Sequence, residues 1–249
     1  MTNDHDLRSN NLDPLGPRLR TTQWSGKGQD TDKLGGPPRA TFEIYNADFR
    51  SVLERVGLFD CIMIDPPYPD YHVELYGYED IKFLQEYNCR QLIFWSAKAA
   101  LPLDYTARHV WDKRKGGAGS AYEFIYERNG SNEYWVFNCV SCNNIVRADM
   151  SRDKFTGHPS QKPLKLMRDL VQKFTNPGDT VIDMFMGSGS TGVACLELGR
   201  CFIGIEKQTK WFNIAKRRLE NAQPALFTTK GGATQPELGT SEEEIPSNE

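Results

Sequence analysis

Between Pro163 and Glu220 the chain runs through two helix-and-strand units joined by a glycine-rich turn, and no other stretch limits the fold as tightly. Leu164, Met167, Leu170, Val171 and Phe174 recur at helical spacing behind a proline suited to a first helical turn, and Asn176-Pro177-Gly178 is a stop signal. VIDMF (181–185) reads as a strand. The glycine-rich turn leads into a helix, GVACLEL (192–198), which Gly199 ends. CFIGIE (201–206) is the next strand, and WFNIAKRRLE (211–220) is an amphipathic helix with Trp211, Ile214, Ala215 and Leu219 inward. Strands and helices in alternation predict an α/β class built on one mainly parallel, doubly wound sheet with helices on both faces. Ligands in such sheets sit at the carboxyl ends of the strands.

The first half of the chain extends the same pattern. FEIYNA (42–47), FDCIMI (59–64) and QLIFWS (91–96) read as strands, separated by a short helix FRSVLERVG closed by Gly57 and a helical stretch around 79–88. ARHVWDK, EFIYER and YWVFNCV are three more strand candidates, with turns at 115–120 and 129–132. Residues 1–40 and 223–249 have no apolar periodicity and read as flexible tails around one domain, 41–222. That domain carries 23 basic and 23 acidic residues, so the formal charge of -3 comes from the tails. Global charge therefore excludes no nucleic-acid partner. The chain has no run of about 18 apolar residues and no apolar signal core, which points to a cytoplasmic protein. Six cysteines lie mostly in apolar strands and read as packed thiols; the pair Cys139 and Cys142 lacks the second ligand pair that zinc needs, and no metal is expected.

Two segments carry chemistry. FMGSGST (185–191) joins a strand to a helix, where glycines let backbone approach a ligand and the helix offers free N–H groups. It lacks the lysine of a phosphate-cradling P-loop and departs from the dinucleotide pattern G-x-G-x-x-G. Glu206, closing the next strand, stands where an acid accepts hydrogen bonds from ribose hydroxyls. A ribose-bearing ligand without a polyphosphate is favoured. The second segment is Asp65-Pro66-Pro67-Tyr68, at the end of a buried strand. Two prolines stiffen the backbone and remove two donors, leaving the carbonyls and the Asp65 carboxylate as a fixed row of acceptors. That row suits an amino group, and Tyr68 offers a flat face on which a base can stack.

DPPY, FMGSGST, Glu206 and HPSQKP (158–163) together resemble the S-adenosylmethionine-dependent amino-methyltransferases of DNA, which modify adenine N6 or cytosine N4. The order, with DPPY first and the cofactor turn last, is similar to the circularly permuted beta class, over roughly residues 42 to 222. The resemblance implies a Rossmann-like class I methyltransferase fold in permuted order. It also implies that Asp65 and the Pro66 carbonyl accept from the target amino group, that Pro67 holds the turn and that Tyr68 stacks on an extruded base. Asp183, Phe185, Gly187, Ser188, Gly189, Ser190 and Thr191 would form the cofactor turn, and Glu206 would take the ribose hydroxyls. His158, Ser160 and Lys162 would line the methionine end, with Lys162 as carboxylate partner. Asp48 would reach toward the cofactor adenine, although Ala47 replaces a glycine that the family often has. No covalent enzyme intermediate is implied, and a stacked base must be flipped out to react.

DNA is the expected partner. Lys113, Arg114 and Lys115 on a glycine-rich loop, and Arg147, Arg152 and Lys154 before His158, are candidate phosphate contacts; a solvated basic turn explains the first group as well. The segment 69–78 could close over the target base. Beta-class enzymes usually insert a sizeable recognition domain before HP-x-QKP, whereas only residues 141–157 stand here, so recognition is expected to be short or relaxed and to use loops 69–78, 113–120 and 141–157, with a homodimer as a further means. The leading expectation is an adenine-N6 DNA methyltransferase of the kind found in restriction-modification. Cytosine N4, a non-catalytic nucleic-acid-binding subunit of the same fold, and an RNA substrate are the alternatives.

Overall fold

A computed structural model describes residues 19–21, 40–69, 80–113, 121–139 and 156–222. The strands are β1 (Leu19–Thr21), β2 (Phe42–Tyr45), β3 (Cys61–Ile64), β4 (Arg90–Trp95), β5 (Ala107–Asp112), β6 (Tyr122–Arg128), β7 (Val136–Asn138), β8 (Thr180–Asp183) and β9 (Cys201–Ile205). They form one sheet in the order β1-β2-β9-β8-β3-β4-β6-β5-β7. The five central strands β2, β9, β8, β3 and β4 are mutually parallel, which is the Rossmann-like heart of the fold. The β5–β6 hairpin then adds antiparallel pairings, and β7 runs parallel to β5. Leu19–Thr21, within the segment read as a tail, forms an antiparallel edge strand on β2.

Side chains alternate across the sheet and divide the core in two, as the period of a strand requires. On one face Cys61, Met63, Leu92, Phe94, Val181 and Phe202 meet the three α-helices: α1 (Leu164–Phe174), α2 (Ser190–Glu197) and α3 (Thr209–Glu220). On the other, Ile62, Ile64, Ile93, Trp95, Ile182 and Ile203 are covered by Phe49, Val52, Ile81 and Leu84. Both faces are therefore layered, but among the described residues the α-helices lie on one face only. The expected helix FRSVLERVG is instead two 3-10 turns, Phe49–Ser51 and Leu53–Arg55. The Asp48 carboxylate accepts the Arg50 N–H at 3.0 Å and closes the first turn, and Val52 at φ -112° interrupts the second from it. The stretch around 79–88 is likewise a 3-10 turn, Lys82–Glu86. Its Leu84 carbonyl accepts the Tyr87 N–H at 3.3 Å, the bond of a 3-10 turn, and also Gln91 Nε2 at 2.9 Å and Arg128 Nη1 at 3.0 Å.

The helices of the second half form where the spacing places them. Gly199 adopts φ 76°, and the Arg200 N–H returns to the Cys195 carbonyl at 2.8 Å, closing α2. Cys61, Cys139 and Cys195 are buried; Cys142 lies outside the described residues. Among the described residues no helix is long and apolar enough to cross a membrane, and no cluster of metal-ligating side chains occurs.

Candidate active site

The carboxyl ends of β2, β3, β8 and β9, the segment 156–163 and the mouth of the β5–β6 hairpin enclose one cavity of about 250 Å³. Its lining includes Asp48, all of Asp65–Tyr68, His158, Ser160, Lys162, Asp183, Phe185, Gly187, Ser188, Ser190, Thr191 and Glu206. Segments separated by more than a hundred residues thus meet at the strand ends where a parallel sheet gathers its ligands.

The glycine-rich turn is held by carboxylates and a guanidinium. Asp183 ends β8, and its two oxygens accept from the Phe185 N–H at 3.0 Å and the Thr191 hydroxyl at 2.7 Å. Burial pushes its carboxyl up to about 7, although both hydrogen bonds favour the anion. Glu206 accepts from the Gly187 N–H at 2.9 Å and the Gln208 N–H at 2.8 Å. Burial raises this carboxyl too, against those two donors. Gly187 has φ 53°, and a Cβ there would stand 3.1 Å from His158 Nε2. Gly189 has φ 81°, and a Cβ would stand 3.0 Å from the Ala215 Cβ; it does not line the cavity but lets α3 approach. Arg218, from α3, donates to the Ser188 carbonyl at 2.7 Å and lies 3.2 Å from both the Ser188 and Ser190 hydroxyl oxygens. Sequence reasoning did not single out Arg218, whose position one residue before the inward Leu219 is the only signal it leaves.

Asp65 sits at the end of β3 inside a net of polar contacts. The Tyr68 hydroxyl donates to its Oδ1, and Lys162 Nζ donates to its Oδ2 at 2.6 Å. Tyr68 is buried, with its ring 5.6 Å from that of Trp95. Burial pushes the Asp65 carboxyl above its ordinary value, while Lys162 pulls it down. Lys162 also pairs with Glu123 Oε2 at 3.4 Å, and its ammonium lies over the Phe94 ring at 4.9 Å. Burial alone would lower the Lys162 ammonium, but the two carboxylates outweigh it and hold the pKa at about 12. Lys113, read as a phosphate contact, faces inward: its Nζ lies 2.5 Å from Glu123 Oε1 and its side chain is 13% exposed. Glu123 was not foreseen, because EFIYER reads as an ordinary strand.

His158 accepts the Ser160 N–H on Nδ1 at 3.2 Å and packs edge-on against Trp211. Burial, then Lys162 and Lys210, lower its pKa to about 4, so the ring is neutral at pH 7. Gln161, unforeseen, is buried and accepts the Thr156 N–H at 2.9 Å, which shapes the segment. Asp48 is exposed at the rim and pairs with Arg50 at 3.2 Å. Arg114, Lys115, Arg147, Arg152 and Lys154, and the loop residues 70–79, lie outside the described residues.

A sheet with this strand order and one cavity across its carboxyl edge, walled by a glycine-rich turn and a proline-braced acid, defines a Rossmann-like class I methyltransferase fold. Residues 76–217 match the family profile described as DNA methylase, N6_N4_Mtase, and the chain belongs to that family. The match begins after Tyr68. Type II methyltransferase M2.DpnII of Streptococcus pneumoniae is 45% identical over 69 residues, 27% of this chain and 26% of the relative. DNA adenine methyltransferase YhdJ of Escherichia coli K12 is 41% identical over 70 residues, 28% and 24% of the respective chains. The matched segment thus spans about a quarter of the length of each curated relative. The solved structure of an M1.HpyAVI-SAM complex superposes with a TM-score of 0.50 and 28% identity, covering 72% of this chain and all of that one.

Proposed function

We propose that the chain transfers a methyl group from S-adenosylmethionine to the exocyclic N6 of adenine in DNA. The observation that carries this reading is that Asp65, the end of a stiff acceptor row, and the Gly187 turn with Glu206 open into the same cavity. Membership in the DNA methylase family and the segment shared with an adenine methyltransferase support it.

The residues present fit the cofactor. Gly187 has no Cβ, and each Glu206 oxygen keeps lone-pair capacity beyond its one backbone donor, enough for ribose hydroxyls. Phe185, Gly187, Ser188, Ser190 and Thr191 would hold it along the turn, with Asp183 and Gly189 fixing that turn's shape and Asp48 at the rim. His158 and Ser160 line the methionine end; the ammonium of Lys162 is committed to Asp65 and Glu123. When bound, S-adenosylmethionine supplies a methyl carbon activated by its sulfonium. The protein's task is to hold and orient the amine, whose lone pair is delocalised into the ring. Asp65 and the Pro66 carbonyl accept its hydrogens, favouring the pyramidal form that attacks in line, and Pro67 stiffens the row. Tyr68 holds Asp65 from the side and offers its ring to the flipped base.

DNA is the proposed partner, with Arg114, Lys115, Arg147, Arg152 and Lys154 as phosphate contacts, short loops in recognition and a homodimer as the assembly. The proposed location is the cytoplasm. Nucleoside mass spectrometry of unmethylated DNA treated with the protein and labelled cofactor tests the reading. N6-methyladenine is expected. N4-methylcytosine would transfer the reading to the other amine, and no methylated amine would refute it.

A further inference from the structure

Asp65, Lys162, Glu123 and Lys113 form an alternating chain of two carboxylates and two ammonium groups along the cavity wall. The spacings are 2.6 Å from Lys162 to Asp65, 3.4 Å from Lys162 to Glu123 and 2.5 Å from Lys113 to Glu123. None of these four side chains is more than 20% exposed. Pairing of β5 with β6 sets Trp111 opposite Glu123, so acid and indole share a face of the sheet. The Trp111 N–H donates to the Cys139 carbonyl at 2.8 Å, which fixes the ring. Lys162 lies over that ring at 5.8 Å and Lys113 at 5.0 Å. Glu123 therefore stands on a rigid strand, beside a fixed ring, between two lysines.

Lysine carries its charge on a flexible four-carbon stem and can turn three donors toward a single carboxylate. With only one buried counter-ion, the Lys162 ammonium would centre on Asp65 and compete with any amine for its lone pairs. Glu123 offers that ammonium a second seat. Resting on the proposed amino-methyltransferase function, we propose that Glu123 is a positioning residue of the transfer site: it shares the Lys162 ammonium with Asp65, so that Asp65 keeps acceptor capacity for the target amine. Lys113 holds Glu123 from its other oxygen. Glu123 touches neither substrate nor cofactor in this assignment and acts through Lys162.

The test is Glu123→Gln in the full-length protein, read in two ways. In cofactor-free protein, the Asp65 side-chain carboxyl is titrated by carbon-13 NMR. Losing the Glu123 charge removes a neighbour that raises the Asp65 pKa and concentrates Lys162 on Asp65, so its titration moves to lower pH. Lys162→Met moves the same titration to higher pH. In methyl transfer at saturating cofactor and DNA, E123Q lowers kcat about tenfold or more while cofactor affinity stays within about twofold of wild type. Glu123→Asp, keeping the charge, recovers part of the rate. An Asp65 titration unmoved in E123Q, or an unchanged kcat, overturns the positioning role. If the wild type itself methylates no base, the proposed function fails, and the titration alone decides whether Glu123 sets the state of Asp65. Should E123Q not fold, Glu123→Asp carries the test against wild type: its shorter carboxylate, drawn back from Lys162, is expected to move the Asp65 titration to lower pH and to lower kcat, and a titration and a kcat both equal to wild type overturn the positioning role.

Discussion

The Gly187 N–H donates to Glu206 Oε2 at 2.9 Å, so the acid at the end of β9 grips the backbone of the turn that follows β8. One carboxylate fixes the turn and faces the cavity with it. Glu206→Ala leaves the Gly187 and Gln208 N–H groups without their acceptor, a loss of about 1–3 kcal/mol each where water does not replace it. S-adenosylmethionine affinity should fall about tenfold to a hundredfold by titration calorimetry. Unchanged affinity would remove Glu206 from the site.

Gly187→Ala is predicted to weaken cofactor binding without unfolding the protein. Its φ of 53° is disfavoured for alanine, and the added Cβ would press on His158 at 3.1 Å, on the wall where the methionine end is proposed to lie. Gly189→Ala has a different outcome. Its Cβ meets Ala215 Cβ at 3.0 Å and Cα at 3.2 Å, a backbone atom that cannot swing away. Thermal unfolding should show Gly189→Ala as the more destabilised of the two, by about 1–3 kcal/mol. Equal melting temperatures for G189A and wild type would contradict the packing.

Asp183 gives a pH signature of stability. Its folded pKa is raised from 3.8 to about 7, so the folded state binds this proton more tightly than the unfolded one. The stabilisation is complete below about pH 4 and is lost as pH rises through about 7, at up to about 1.4 kcal/mol per unit between those limits. Asp183→Asn should therefore show a flatter stability-versus-pH curve than wild type in this window, measured by urea unfolding. Parallel curves would contradict the raised pKa.

Far from the cavity, Glu127 is fully buried between His109 Nε2 at 3.2 Å and Arg90 Nε at 3.0 Å. Arg90→Met strips that buried carboxylate of its cation, since burial keeps His109 neutral with a pKa of about 4. The loss should be about 3 kcal/mol in chemical unfolding, with cofactor binding intact below the transition. Gly130→Ala should also destabilise, because its Cβ would fall 1.7 Å from Glu127 Oε1 and displace that buried side chain.

Much of this was legible in the sequence, and the residues show why. Met63 and Ile64 lie on opposite sides of the sheet, yet both are buried, so β3 reads as an unbroken apolar run. Gly187 and Gly189 announce themselves because only positive φ lets the chain turn from β8 into α2 so sharply. Glu123 and Arg218 carry no such mark. Glu123 takes its meaning from the register that sets it opposite Trp111, and Arg218 from its hydrogen bond to the Ser188 carbonyl, 30 residues away in sequence. The 3-10 turns at Phe49–Ser51 and Lys82–Glu86 resemble helices in sequence, since one turn of apolar spacing fits both; the backbone instead closes i→i+3 bonds, from the Val52 N–H to the Phe49 carbonyl and from the Tyr87 N–H to the Leu84 carbonyl.

The most direct measurement compares wild type with Asp65→Ala, in parallel, for methyl groups transferred to DNA and for S-adenosylmethionine affinity. Expected are N6-methyladenine from the wild type, none from Asp65→Ala, and cofactor affinities within a few-fold of each other. Methyl transfer by Asp65→Ala at the wild-type rate, or a wild type that binds the cofactor and methylates no base amine, would contradict this expectation.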